Sequence, residues 1–193
     1  MTPILKPGKK SRDVSSYRPI SNLNIIEKVI EQILKDQLDD FLMKTKVITP
    51  NHHGGRKIHS TATAKASLDY NISVLREKQY ATGVLTTDLS AAYDTVNSCL
   101  LQNKLEHIGV RGRKLELLRT YLMGRRAYTE VQGFCSDLLE QPDCSVIQGS
   151  KLSTTLYTIY ILDMTEIKEI LKDPEEFERI VGKPKIPTNS TKL

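Results

Sequence analysis

The chain of 193 residues has no tryptophan and three phenylalanines, and aromatic residues make up 6% of it. Whatever core it builds must be mostly aliphatic. Cysteine is scarce as well. Cys99, Cys135 and Cys144 are odd in number and show no C-x-x-C spacing, so neither a disulfide framework nor a zinc site is supported. Such thiols suit a reducing compartment, and an intracellular protein, cytoplasmic or nuclear, is expected. No apolar run approaches the ~18 residues of a membrane span, and the N-terminus lacks the apolar stretch of a secretory signal. No membrane partner is expected, and the sequons Asn71-Ile72-Ser73 and Asn189-Ser190-Thr191 are read as chance matches. His52, His53 and His59 cluster in a polar stretch, but no Cys or carboxylate accompanies them and their spacing suits no standard metal site.

What is present is an aliphatic, basic chain. Hydrophobic residues reach 39%, low for a globular chain, yet the length suffices for one domain with a real core. Lys and Arg number 28 against 23 for Asp and Glu, and the excess is not spread evenly. Residues 1–18 hold Lys6, Lys9, Lys10, Arg12 and Arg18 against Asp13. Residues 104–126 hold Lys104, Arg111, Arg113, Lys114, Arg119, Arg125 and Arg126 against Glu106 and Glu116. Clusters of one sign point to an anionic partner such as RNA.

The periodicity gives an α+β order. Residues 1–18, rich in Lys, Pro, Gly and Ser, read as an extended basic arm or hairpin. Asn24 opens a helix with Glu27 three places on, a partial capping box. Ile25, Ile26, Val29, Ile30, Ile33, Leu34, Leu38, Phe41 and Leu42 continue it to about Lys44, and this apolar stripe is expected to be core. A second helix is expected from about Ser60 to Lys78, with Ala64, Leu68, Ile72 and Leu75 inward. Val84 to Asp88 alternates as a strand. Helices follow over 99–107 and 113–123, stopped by Gly109 and Gly124. Strands are expected over 126–133 and 143–147, and a long helix over 152–171. After Lys172 the chain turns polar and reads as a disordered tail.

Two segments carry chemistry. In the stretch from Val84 to Asp94, Asp88 sits at a strand end, small residues follow, and Tyr93 comes five places later. A carboxylate there can hold a divalent metal over a phosphate; it can equally be the N-cap of a following helix. The second segment, Val146-Ile147-Gln148-Gly149-Ser150-Lys151-Leu152-Ser153, runs from an apolar strand through Gln-Gly into a helix.

Together these segments resemble the reverse-transcriptase domain of non-LTR retrotransposons. Its palm motifs read D-L-S-x-A-[FY]-D and Q-G-S-x-L-S-P. Pro3-Ile4-Leu5-Lys6-Pro7-Gly8-Lys9 with Tyr17-Arg18-Pro19-Ile20-Ser21 resembles the fingers motif of that family. The segment from Asn51 to Thr61 is similar to its N-Q-x-G-F-R-x-x-x-S-T. Group II intron maturases share these motifs, but the string from Asp88 to Asp94 fits the retrotransposon group better.

The resemblance implies a right-hand polymerase, with fingers over residues 1–80, a partial palm over 81–171 and helices packed on a small antiparallel sheet. It implies an RNA template, a DNA primer, deoxynucleoside triphosphates and Mg²⁺ as partners of the complete domain. Asp88 would be the catalytic metal ligand, joined by the carbonyl of Leu89. Tyr93 would be the steric gate against a 2′-hydroxyl. Lys6 and Arg18 would neutralise the triphosphate, and Gln148 and Gly149 would line the nucleotide pocket, the glycine allowing close approach. Lys9, Lys10, Arg111, Arg113 and Lys114 would meet nucleic acid. Asp94 reads as structural.

Three departures stand out. Gly55 replaces the usual aromatic, and Thr154 the usual proline. The third palm motif, [YF]-x-D-D, is absent, since the one Asp-Asp pair, Asp39-Asp40, lies inside the first helical pattern. The expectation is therefore a fragment of a retrotransposon polymerase that is inactive alone, or a non-catalytic RNA-binding remnant.

Overall fold

The computed structural model describes residues 1–80, 82–84, 86, 88–141 and 144–165. It is mixed: five helices and three separate antiparallel strand pairs are described. The basic arm is a hairpin. Strand β1 (Thr2–Leu5) pairs antiparallel with β2 (Tyr17–Ile20), and Pro3 faces Pro19. The two residues that cannot donate a backbone N–H thus share one rung, where the loss costs the ladder least.

Helix α1 (Ile25–Thr45) starts where a local signal puts it. The Asn24 side chain accepts from Glu27 N–H, and the Glu27 carboxylate accepts from Asn24 N–H. Helix α2 (Thr61–Glu77) has the same reciprocal arrangement between Ser60 and Thr63. Helices α3 (Ser98–His107) and α4 (Arg113–Leu122) follow, with Gly109 at φ +102 turning the chain between them. Two short pairs come next: β3 (Arg126–Ala127) with β6 (Leu139–Glu140), and β4 (Glu130–Val131) with β5 (Phe134–Cys135). Helix α5 (Lys151–Tyr160) closes the first compact unit, residues 1–160. In the second unit a 3-10 turn spans Leu162–Thr165.

The core gathers on α5. Leu152, Leu156 and Ile159 are fully buried, and so are Leu101 and Leu105 of α3. Leu115, Leu118 and Leu122 of α4 join them, with Leu38 and Leu42 of α1. Helix α5 is buried nearly all round, and its hydroxyls find partners on its neighbours. Thr155 donates to Asp39 at 2.8 Å, and Thr158 Oγ1 lies 3.3 Å from His52 Nε2.

Several expectations are corrected. The first half of α1 is not core: Ile25 is 79% exposed, Ile26 72% and Val29 54%, whereas Glu31 is buried at 4%. Helix α2 buries no side chain fully, and Leu68 and Leu75 are exposed. No described residue between 82 and 88 is in a strand; Leu85 and Thr87 lie outside the described residues. A strand needs a partner for its ladder, and none of the described pairs involves this stretch. The strand expected over 126–133 breaks into β3 and β4 and turns at Gln132-Gly133. The strand expected over 143–147 is reduced to one bridge, Cys144 with Asn97. Helix α5 ends at Tyr160, not at residue 171, and the expected tail lies outside the described residues. A single small sheet was expected; the described strands form three two-stranded pairs.

Candidate functional site

The loop before α5 is the meeting point of the sequence-predicted residues. Val146 N–H donates to Tyr93 O at 2.9 Å, and Gln148 Nε2 donates to Asp94 Oδ1 at 2.9 Å. On its other side Ser21 N–H donates to Gln148 O at 2.8 Å. One short loop thus ties the turn after Asp88 to the end of β2, and contacts far apart in sequence fix its shape. Gly149 is required there. It has φ +104, and a Cβ would lie 3.1 Å from Ser21 O and 3.2 Å from Ile20 Cγ2. The close approach its glycine permits is to the chain's own backbone.

Asp88 and Leu89 are exposed, and the chain turns from Ser90 to Thr95. Ala91 takes a left-handed φ of +51, while Asp94 N–H and Thr95 N–H both donate to Ala91 O. A small residue bears that conformation with least strain. Tyr93 is half-buried and stacks on Tyr157 of α5, with ring centroids 5.1 Å apart and planes 20° from parallel. Burial raises the Tyr157 phenol above its ordinary pKa, and Tyr93 and the negative charge of Asp88 add to the rise. Asp88, Tyr93 and Tyr157 therefore belong to one neighbourhood.

The α5 loop has a second anchor that the sequence did not single out. Ser150 Oγ caps α5 by accepting from Leu152 N–H at 3.1 Å and Ser153 N–H at 3.3 Å. Tyr121 Oη lies 2.8 Å from Ser150 Oγ and 2.7 Å from Glu31 Oε1. A phenol has one proton, so it goes to the carboxylate, and the Ser150 hydroxyl supplies the other bond. The one available signal was Glu31 itself, a charge inside an apolar stripe. A cavity of about 870 Å³ opens beside this network, with Ser21, Glu31, Asp94, Tyr121 and Gln148 on its wall.

The remaining predicted residues sit elsewhere. Lys6 is occupied within the hairpin, its Nζ donating to Ser15 O at 2.9 Å. Arg18 is exposed on β2, and Lys9 and Lys10 are exposed at the hairpin tip. The fold does not bring Lys6 or Arg18 into a hydrogen bond or ion pair with Asp88 among the described residues. Arg111 donates to the carbonyls of Glu106 and Val110 and so closes the end of α3. Arg113 and Lys114 are exposed at the start of α4.

The donor set for a divalent metal is incomplete among the described residues. Among the described residues no three His, Cys, Asp or Glu side chains gather closely enough to hold an ion. Asp88 and the Leu89 carbonyl offer two oxygens, and Asp94 is engaged by Gln148. No helix of the described residues is long and apolar enough to cross a membrane.

Comparison with known proteins agrees with the motifs. Residues 4–172 match the family described as reverse transcriptase (RNA-dependent DNA polymerase). The chain is 30% identical over 162 residues to the RNA-directed DNA polymerase from mobile element jockey of Drosophila funebris, covering 83% of this chain and 17% of that protein. It is 29% identical over 174 residues to the jockey polymerase of Drosophila melanogaster, covering 90% and 19%. It thus spans less than a fifth of either relative.

Proposed function

The chain belongs to the reverse transcriptase (RNA-dependent DNA polymerase) family, and on that premise we propose that it is the fingers and partial palm of a retrotransposon RNA-directed DNA polymerase. In this reading residues 1–80 are fingers and 81–171 palm. The partners are an RNA template, a DNA primer and deoxynucleoside triphosphates. Asp88 and the Leu89 carbonyl are metal ligands. Tyr93, held flat by Tyr157, walls the sugar, and Gln148 and Gly149 border the nucleotide. Lys6 and Arg18 face the triphosphate, while Lys9 and Lys10 meet nucleic acid.

The observation that supports this most is the joining of three motif segments at one loop: Gln148 to Asp94, Val146 to Tyr93 and Gln148 to Ser21. A nucleotidyl transfer needs several carboxylates converging on its metal ions. The described residues do not supply them, and the roles these residues carry are to bind and to orient. That incomplete set also favours the second reading, a non-catalytic RNA-binding remnant.

One experiment bears on both readings. Residues 1–193 are given a primed RNA template, deoxynucleotides and Mg²⁺ or Mn²⁺, and hybrid binding is titrated at several salt concentrations. Binding should weaken steeply with salt, and Lys9→Ala with Lys10→Ala should lower the log–log slope by up to ~2 units. No extension is expected from these residues alone. Affinity indifferent to salt would sink the nucleic-acid reading. Extension that vanishes in Asp88→Ala would establish a working metal centre and overturn the non-catalytic reading.

A further inference from the structure

Helices α1 and α4 leave a second cavity between them, of about 270 Å³. Leu38, Val110 and Leu118 form its buried floor, and Leu34 and Phe41 its half-exposed walls. The rim carries two cations, Arg111 and Lys114, and no carboxylate lines it. Arg111 is pre-set there by the carbonyls of Glu106 and Val110. Glu106, whose carbonyl accepts from Arg111, has its carboxylate paired with Arg119 at 3.6 Å. The same edge holds the start of α4, where Gly112 provides no side-chain cap. The first N–H groups of that helix, at its positive end, add to the pull on an anion. Glu116, the acid of the first turn, does not line the cavity.

We propose that this groove docks an acidic peptide segment, with one large apolar side chain filling the cavity and a neighbouring carboxylate resting on Lys114 and Arg111. The volume lies just under the roughly 300 Å³ at which small-molecule pockets begin, and it suits a single anchoring side chain. The lining decides against a nucleobase. Its floor and walls are apolar, and its side-chain donors, Gln37, Arg111 and Lys114, stand at the mouth and rim, so a base seated in the recess would bury most of its polar edge unpaired, which is unfavourable. The cations at the rim select the sign of the flanking residues and speed encounter. Cations expected from the sequence to meet RNA thus border an apolar recess suited to a protein partner. The proposal does not depend on the polymerase reading.

The experiment uses residues 1–193 and fluorescent hexapeptides at low salt. One has a single phenylalanine flanked by aspartates; a second has serine for the phenylalanine; a third has lysines for the aspartates. The first should bind saturably and at least tenfold more tightly than the other two. Lys114→Glu, which removes a rim cation, and Gln37→Trp, which plugs the mouth, should each weaken it tenfold or more. Both positions are exposed, and thermal melts verify that the variants fold. Equal binding of the serine peptide, or no saturable binding of the first, would overturn the proposal. So would an oligouridine that displaces the peptide and itself loses affinity in Gln37→Trp, since the groove would then belong to nucleic acid.

Discussion

Tyr121 Oη stands 2.7 Å from Glu31 Oε1 and so links the last turn of α4 to a carboxylate buried on α1. Through Ser150 the same phenol steadies the first turn of α5, and with it the loop that carries Gln148. Tyr121→Phe should cost about 1–3 kcal/mol, because Glu31 is left as a buried charge without its donor. Tyr121→Phe with Glu31→Leu should recover much of that loss, because neither polar partner then remains buried. Urea unfolding of the two variants and of Glu31→Leu decides it. Losses that simply add would mean the pair is not coupled.

Burial, and the nearby Glu31 charge, raise the Tyr121 phenol well above the ordinary tyrosine value. Above pH ~10 the unfolded chain releases this proton and the folded chain keeps it. The unfolded state then binds fewer protons, so stability falls as pH rises through that range. Phenolate absorbance should show one tyrosine ionising together with loss of helical signal. A smooth titration of all tyrosines near pH 10 with the fold intact would contradict the burial.

His52 has the opposite leaning. Burial lowers its pKa, and Arg56, His53 and His59 reinforce the shift. Below pH ~6.5 the unfolded chain takes up the proton first. Stability due to this group is therefore full above that pH and lost as pH falls through the lowered folded value. Between pH 7.5 and 5 the parent chain should lose more stability than His52→Gln. Parallel pH dependences would remove His52 from the account.

Gly55 and Thr154, two of the departures from the retrotransposon pattern, touch each other. A Cβ on Gly55 would lie 2.7 Å from Thr154 Cγ2, and Gly55 has φ +67. Gly55→Phe alone should destabilise by about 1–3 kcal/mol, from overpacking and from a left-handed backbone. Thr154→Ala in the same chain should relieve part of it. Chemical denaturation of the single and double variants provides the measurement, and an unchanged midpoint in Gly55→Phe would show that the contact yields freely.

Exposure of the α1 stripe makes a further contrast. Ile26→Gln and Val29→Gln should each shift stability by no more than about 0.5 kcal/mol. Leu42→Ala, on the same helix but 1% exposed, should cost about 2–5 kcal/mol. Comparable losses at all three positions would restore the whole stripe to the core.

The sequence by itself determined the features that depend on a few neighbouring residues. The start of α1 follows from Asn24 and Glu27, and the turn at Gly109 from a backbone no β-carbon favours. The family was legible too, because its motifs survive as short strings around Lys6, Arg18, Asp88 and Gln148. Tertiary structure alone decided what each face meets. The period of α1 puts Ile26 and Leu42 about 160° apart around the helix, but it does not say that neighbouring elements cover the face of the second and leave that of the first exposed. Strands depend on partners still more, which is why the alternation from Val84 to Asp88 yields no strand at the described residues. The roles of Tyr121 and Glu31 were hidden for the same reason: 90 residues separate them, and a hydrogen bond between buried groups leaves no trace in local composition.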